Sequence, residues 1–184
     1  PIANMSSAVS AKQSQGHDLF DFTTGEPDFD TPAHIKQAAI EAINDGKTKY
    51  SPTEGTIEVR QAVQRKFKRE NDLEFKTDQI IVASGAKPLL ADIIRTLAGV
   101  GDEIALARPC WPSHVGMIEL CGAKPVYVDT CQGDGFKMKP ENLAAVLTDR
   151  TRALLLCAPS NPTGTAYPPD ILREIAQILR RYPD

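Results

Sequence analysis

The 184-residue sequence contains no apolar run that approaches the roughly 20 residues of a membrane-spanning helix. Its first residues lack the charged-then-apolar layout of a secretory signal, so a cytoplasmic location is the default expectation. There is no excess of basic residues: the net charge is −3 and the isoelectric point about 5.7. Nothing in that balance calls for a nucleic-acid partner. The four cysteines form no C-x-x-C pair, which argues against a zinc or dithiol site and for reduced, small, buried thiols. The three histidines, His17, His34 and His114, have no metal-ligand spacing. They read as surface or boundary residues, and no metal is expected. Neither a G-x-x-x-x-G-K loop nor a G-x-G-x-x-G turn follows any candidate strand, which excludes the two commonest nucleotide-binding fingerprints.

What is present is an ordinary globular composition, 41% hydrophobic and 24% charged. The length suits one domain, or one and a fraction. Residues 1–17 are small and polar, a mobile arm or short leading helix. Leu19–Phe22 is strand-like. Thr31 as N-cap and Pro32 as first helical residue open a helix whose apolar stripe is Ile35, Ala38, Ala39, Ala42 and Ile43, with Gly46 placed to end it. A second helix covers about Thr56–Arg69. Strands then alternate with helices: Ile80–Ala83, Glu103–Ala107, Pro125–Val128 and Ala153–Cys157 as strands, with helices after each. The last helix opens at Pro168–Pro169 and turns Ile171, Leu172, Ile175, Ile178 and Leu179 inward. Such alternation predicts an α/β domain with a largely parallel sheet. The last helix has the character of a crossover, and a crossover normally leads into another strand. The sequence is therefore expected to be the front part of a longer protein, ending at Tyr182-Pro183-Asp184.

Three segments carry chemistry. Ser84-Gly85-Ala86-Lys87 lies between a strand and a helix start. It is either a plain turn or an anion site built from free N–H groups and the helix dipole. Pro109-Cys110-Trp111-Pro112 holds the only tryptophan between two prolines. The indole is either core packing or a rigid plate for a planar ring. Pro159-Ser160-Asn161-Pro162-Thr163-Gly164 fixes Asn161 in a loop, where its amide can both donate and accept. Placed together at the carboxyl ends of strands in one sheet, an anion cradle, an aromatic plate and an amide would suit a flat, phosphorylated, heteroaromatic cofactor.

These segments, with Gly25-Glu26-Pro27-Asp28-Phe29-Asp30-Thr31-Pro32 and Lys47-Thr48-Lys49-Tyr50-Ser51-Pro52 followed by Gly55, resemble the front part of the class I/II aminotransferases. These are fold-type I enzymes that use pyridoxal 5′-phosphate, and the likeness is to their bacterial aspartate aminotransferase branch. It runs along essentially the whole sequence. The resemblance implies the large domain of that fold, a three-layer α/β/α arrangement with a mostly parallel sheet. Residues 1–48 would form an N-terminal arm and part of a small domain. Residues 49–184 would form the first part of the cofactor-binding domain.

By the same resemblance, amides at Gly85, Ala86 and Lys87 would hold the cofactor phosphate, and Trp111 would stack on the pyridine ring. Asn161 would bond the phenolic oxygen, and Tyr50 would reach the phosphate of a neighbouring subunit in a homodimer. Gly25, Trp111 and Asn161 would line the substrate site. The implied reaction passes an amino group from an amino acid, aspartate or similar, to a 2-oxo acid in a ping-pong scheme, a step of amino-acid metabolism. Cys110 stands where the family usually carries tyrosine. The family's Schiff-base lysine belongs to a later segment, so no catalytic residue is assigned in this sequence, and Lys87 is read as acting through its amide. The chain alone is expected to be inactive. The same motifs also serve β-lyases, kynurenine-type aminotransferases and non-catalytic cofactor-sensing domains of transcription regulators.

Overall fold

A computed structural model describes residues 2–23 and 25–182, with side chains from Met5 onward. Pro183 and Asp184, where the sequence suggests a cut before a further strand, lie outside the described residues. So does Pro1 of the leading arm. The chain divides into two compact units, Pro1–Val82 and Ala83–Asp184.

The first unit is helical. Helix α1 spans Ile2–Ser14, so the leading arm takes the helical alternative. No strand forms at Leu19–Phe22, where Phe20 and Phe22 are exposed. Helix α2 is Ala33–Asn44, with Pro32 rather than Thr31 at the N-cap, a one-residue shift of the kind helix ends allow. Gly46 ends it as expected: its φ is 74°, and Lys47 N donates back to Ala42 O. The apolar stripe of α2 is not buried. Ile35 and Ile43 are 50% and 64% exposed, since among the described residues no element of this unit covers them. Helix α3, Ile57–Asn71, starts at the predicted Thr56, whose side chain accepts from Val59 N at 3.4 Å. Its Phe67 meets Phe75 edge-on, with ring centres 5.3 Å apart. Gly55, at a φ of 96°, sits so close to Val82 that a Cβ would lie 3.1 Å from Val82 Cβ. The adjoining backbone bond from Val82 N to Glu54 O ties the Tyr50 loop to the end of the unit.

The second unit is the α/β body. Helix α4 is Ala86–Leu97, β1 Glu103–Arg108, α5 Pro112–Leu120, β2 Lys124–Asp129, α6 Pro140–Val146, β3 Thr151–Leu155 and α7 Pro169–Leu179. Three of the helices begin on a proline, which fixes φ where no N–H is needed. The strands make one parallel sheet in the order β2-β1-β3. Ile80–Ala83, expected as a further strand, is extended at Ile80 but joins no ladder among the described residues. An extended segment becomes a strand only when another takes its hydrogen bonds. β3 also starts two residues before the apolar run that predicts it, because Thr151 and Arg152 are already paired or in line with β1.

β1 is the axis of the body. Its alternate side chains feed two cores. Ile104 and Leu106 pack with Ile94 of α4 and Met117 and Ile118 of α5. Ala105 packs on the other face with Leu143 of α6 and Ile175 and Ile178 of α7. Helices on both faces of a parallel sheet are the three-layer arrangement that the resemblance implies. Each fully buried large apolar side chain, such as Leu106 or Ile118, contributes roughly 1.5–3 kcal/mol. Leu172 departs from its expected inward position and is 39% exposed, because Ile171 and Ile175 take the stripe of α7 that meets the core. At the amino edge of the sheet, buried Glu103 accepts from Thr148 Oγ1 at 2.6 Å and from Arg150 Nη2 at 2.9 Å. That edge is therefore stapled by polar bonds, which leaves the carboxyl edge to the loops that carry the candidate site.

Candidate functional site

Helix α4 begins at Gly85, whose φ of 154° is a conformation that suits glycine. Gly85 has no side chain to cap the helix. The first N–H groups, on Ala86 and Lys87, have no acceptor within the helix, and Pro88 has no N–H at all. The start of α4 is thus an uncapped pair of donors at the positive end of a helix dipole.

β1 ends at Arg108, pinned to Asp129 of β2 at 2.7 Å. The chain then turns through Pro109 and Cys110 into Trp111, the N-cap of α5. The indole is half-buried against the core cluster of α4, α5 and β1. Lys87 Nζ stands over its ring, 5.0 Å from the centre. His114 stands perpendicular to it, with ring centres 5.2 Å apart and planes at 88°. A bond from His114 N to Trp111 O, 3.0 Å, closes this turn.

β3 leads to the Asn161 loop. Ser160 N donates to Thr165 O at 2.8 Å and Gly164 N to Ser160 O at 2.7 Å, so residues 160–165 close on themselves. Gly164 has a φ of 72°, which the closure requires. Asn161 is exposed at the tip, and among the described residues no protein group takes its side-chain amide. A narrow cleft joins this loop to the end of β1, lined by Pro109, Cys110, His114, Ser160, Asn161 and Tyr167.

The second unit therefore brings Lys87, Trp111 and Asn161 to one end of the body, with His114 as the link between ring and cleft. Trp111 and Asn161 follow ladder strands, while the α4 turn follows the Ile80–Ala83 segment, which joins no ladder among the described residues. Tyr50 and Gly25 belong to the first unit, where both are exposed and nothing approaches within 4 Å of a Cβ built on Gly25.

His114 corrects the expectation of a surface or boundary histidine. It is 6% exposed, and burial holds its pKa below the ordinary imidazole value, so the ring is neutral near pH 7. The signal was in the sequence: Trp111 and His114 are three apart across a proline helix start, which puts them on one turn. The thiols also differ from expectation. All four are free, as a reduced protein requires, but Cys131 is exposed and the other three are half-buried. Burial pushes the Cys110 thiol up, more than nearby Arg108 brings it down. Cys110 is thus a protonated, apolar wall of the cleft. Among the described residues no group of histidine, cysteine or carboxylate side chains is arranged to hold a metal, and no helix is long and apolar enough to cross a membrane.

The model of the family "Aminotransferase class I and II" matches residues 17–183. The chain belongs to this family. Among curated relatives, the aspartate/prephenate aminotransferase of Nitrosomonas europaea is 41% identical over 181 residues, 96% of this chain and 46% of the relative. The aspartate aminotransferase of Rhizobium meliloti is 40% identical over 182 residues, 99% of this chain and 44% of the relative. The solved aspartate aminotransferase of Rhizobium meliloti superposes with a TM-score of 0.94 at 40% identity, covering 99% of this chain and 46% of that one. That of Thermus thermophilus with maleate gives 0.93 at 38% identity, 98% and 47%. The chain thus spans a little under half the length of the class I/II aminotransferases it matches, and its α/β body has their fold.

Proposed function

We propose that this chain forms the cofactor-holding front of a pyridoxal 5′-phosphate-dependent aminotransferase that moves an amino group between an amino acid, aspartate or similar, and a 2-oxo acid. The supporting observation is the convergence at one end of the second unit: uncapped donors on α4, the Trp111 plate and the free Asn161 amide. That donor set fits the cofactor. Two N–H groups and a helix dipole with no capping side chain suit a phosphate, and a rigid indole suits a planar ring.

When bound, the cofactor supplies the electron sink for exchange of the amino group. The protein's part is placement. Gly85, Ala86 and Lys87 amides hold the phosphate, with no glycine Cβ to keep it away. Trp111 holds the ring from one face. The Asn161 side chain donates to the phenolic oxygen and lies beside the substrate position with Trp111. Neutral His114 fixes the indole and closes the cleft floor, so no extra positive charge builds up beside the ring. Tyr50, exposed on its loop, serves the phosphate of a neighbouring subunit in a homodimer. The covalent lysine is not one of these residues.

The test is a titration of the chain with pyridoxal phosphate, followed by an assay with aspartate and a 2-oxo acid. Saturable binding that Asn161→Ala and Trp111→Ala weaken, with no turnover by the chain alone, is the expected result. Absence of binding would sink the site, and turnover by the chain alone would sink the assignment of the lysine elsewhere.

A further inference from the structure

Lys87 enters the proposed site only through its backbone amide, yet its side chain is committed to a second task. The ammonium stands over the Trp111 ring, 5.0 Å from its centre, a cation–π contact. The indole packs against the core cluster, and His114 stands perpendicular to it. Lys87 itself is exposed, and among the described residues no carboxylate pairs with its ammonium. The side chain is thus held by the ring alone. A planar ligand cannot stack on that face of Trp111 while the ammonium stays there.

We infer that the Lys87 side chain is a displaceable cover of the ring plate. It occupies the open face of Trp111 until a planar ligand arrives, then leaves the ring and pairs with the ligand's phosphate, which the amide of the same residue also holds. The inference rests on the cofactor reading above. Its consequence is selectivity. A ring without a phosphate must break the cation–π contact with no return. A ring with a phosphate replaces that contact by a charge-assisted one. One residue thereby discriminates phosphorylated from unphosphorylated forms of the same ring.

Trp111 is the only tryptophan, so its emission reports the exchange directly. The probes are pyridoxamine and pyridoxamine 5′-phosphate, whose amines do not condense with lysines. In the free chain, Lys87→Ala is expected to raise acrylamide quenching of Trp111 about twofold, and Lys87→Arg to restore it, since a guanidinium also stacks on indole. Lys87→Ala should bind pyridoxamine about two- to fivefold more tightly, the size of an exposed cation–π contact. Its affinity for the phosphate ester should stay close to the parent's, because relief of the cation–π contact offsets a roughly threefold loss of a screened charge pair. The ratio of the two affinities then falls about threefold, with Lys87→Arg close to the parent. Unchanged quenching in Lys87→Ala overturns the cover, and an unchanged affinity ratio overturns the exchange. If neither probe alters Trp111 emission in the parent chain, the cofactor site itself fails and the exchange with it, whatever the quenching shows.

Discussion

Replacing Glu103 with glutamine should cost the second unit about 1–2 kcal/mol at neutral pH and almost nothing in acid. The Glu103 carboxylate is buried at 3% exposure at the amino end of β1. It accepts from Thr148 Oγ1 at 2.6 Å and Arg150 Nη2 at 2.9 Å, beside the backbone bond from Glu103 N to Arg150 O at 2.8 Å. Hydrogen bonds to a charged group contribute about 1.5–3 kcal/mol and neutral ones about 0.5–1.5, so losing the charge removes roughly 1 kcal/mol per bond. The Arg150 side chain is 66% exposed, and its share is screened toward the low end of about 0–1 kcal/mol. Most of the loss therefore sits on Thr148, which is also the leading cause of the carboxyl's lowered pKa, ahead of the attraction of Arg150. A carboxyl with a depressed folded pKa stabilises the fold above its unfolded value and loses that contribution as pH falls through the folded one. The assay is urea unfolding followed by Trp111 emission, in the same unit, for parent and Glu103→Gln from pH 7 down past the ordinary glutamate value of 4.5. The gap between them should be full at pH 7 and close below that value. Equal midpoints at pH 7, or a gap that persists unchanged in acid, would refute the reasoning.

Two further outcomes are expected. For His114, the folded pKa lies below the ordinary 6.5 because of burial, so the unfolded chain takes up a proton first as pH falls. Stability should decline below about pH 6.5 in the parent and decline less in His114→Phe, which keeps an aromatic against Trp111; identical pH profiles by thermal denaturation would count against the buried neutral ring. For the thiols, brief alkylation at neutral pH read by peptide mass spectrometry should modify exposed Cys131 first and Cys110, whose thiol burial disfavours ionisation, last; rapid loss of Cys110 would contradict its place in the cleft wall.

Much of this architecture is readable in the residue order. Pro112, Pro140 and Pro169 mark helix starts because a fixed φ and a missing N–H fit only the first turn. Thr56 marks α3 because its hydroxyl has a donor within reach. The apolar runs of β1 and β3 mark a sheet buried on both faces. What stays hidden depends on partners distant in sequence. Ile80–Ala83 has strand composition but joins no ladder among the described residues, its Val82 N bonding instead to Glu54 O of a loop, and composition cannot supply a partner strand. The stripe of α2 is apolar yet uncovered, since a stripe states a preference for burial and not its fulfilment. At the candidate site, Gly85, Trp111 and Asn161 stand out through their prolines and glycines. His114 is marked only by its spacing of three from Trp111 across a proline helix start, and that spacing does not say whether the imidazole is buried. The Lys87–Trp111 contact joins residues 24 positions apart, and no local pattern announces it.

Burial falls steadily along β1: Glu103 to Leu106 are enclosed, Ala107 is partly open and Arg108 is exposed. The strand thus has a conservative end and a permissive one. A substitution near Glu103 disturbs both cores and the polar staple together. A substitution just beyond Arg108 leaves the polar staple untouched and meets one core only, through the half-buried Cys110 and Trp111. Cys110, half-buried in the cleft wall, stands at that rim. A change at this rim therefore touches fewer of the fold's supports than one near Glu103.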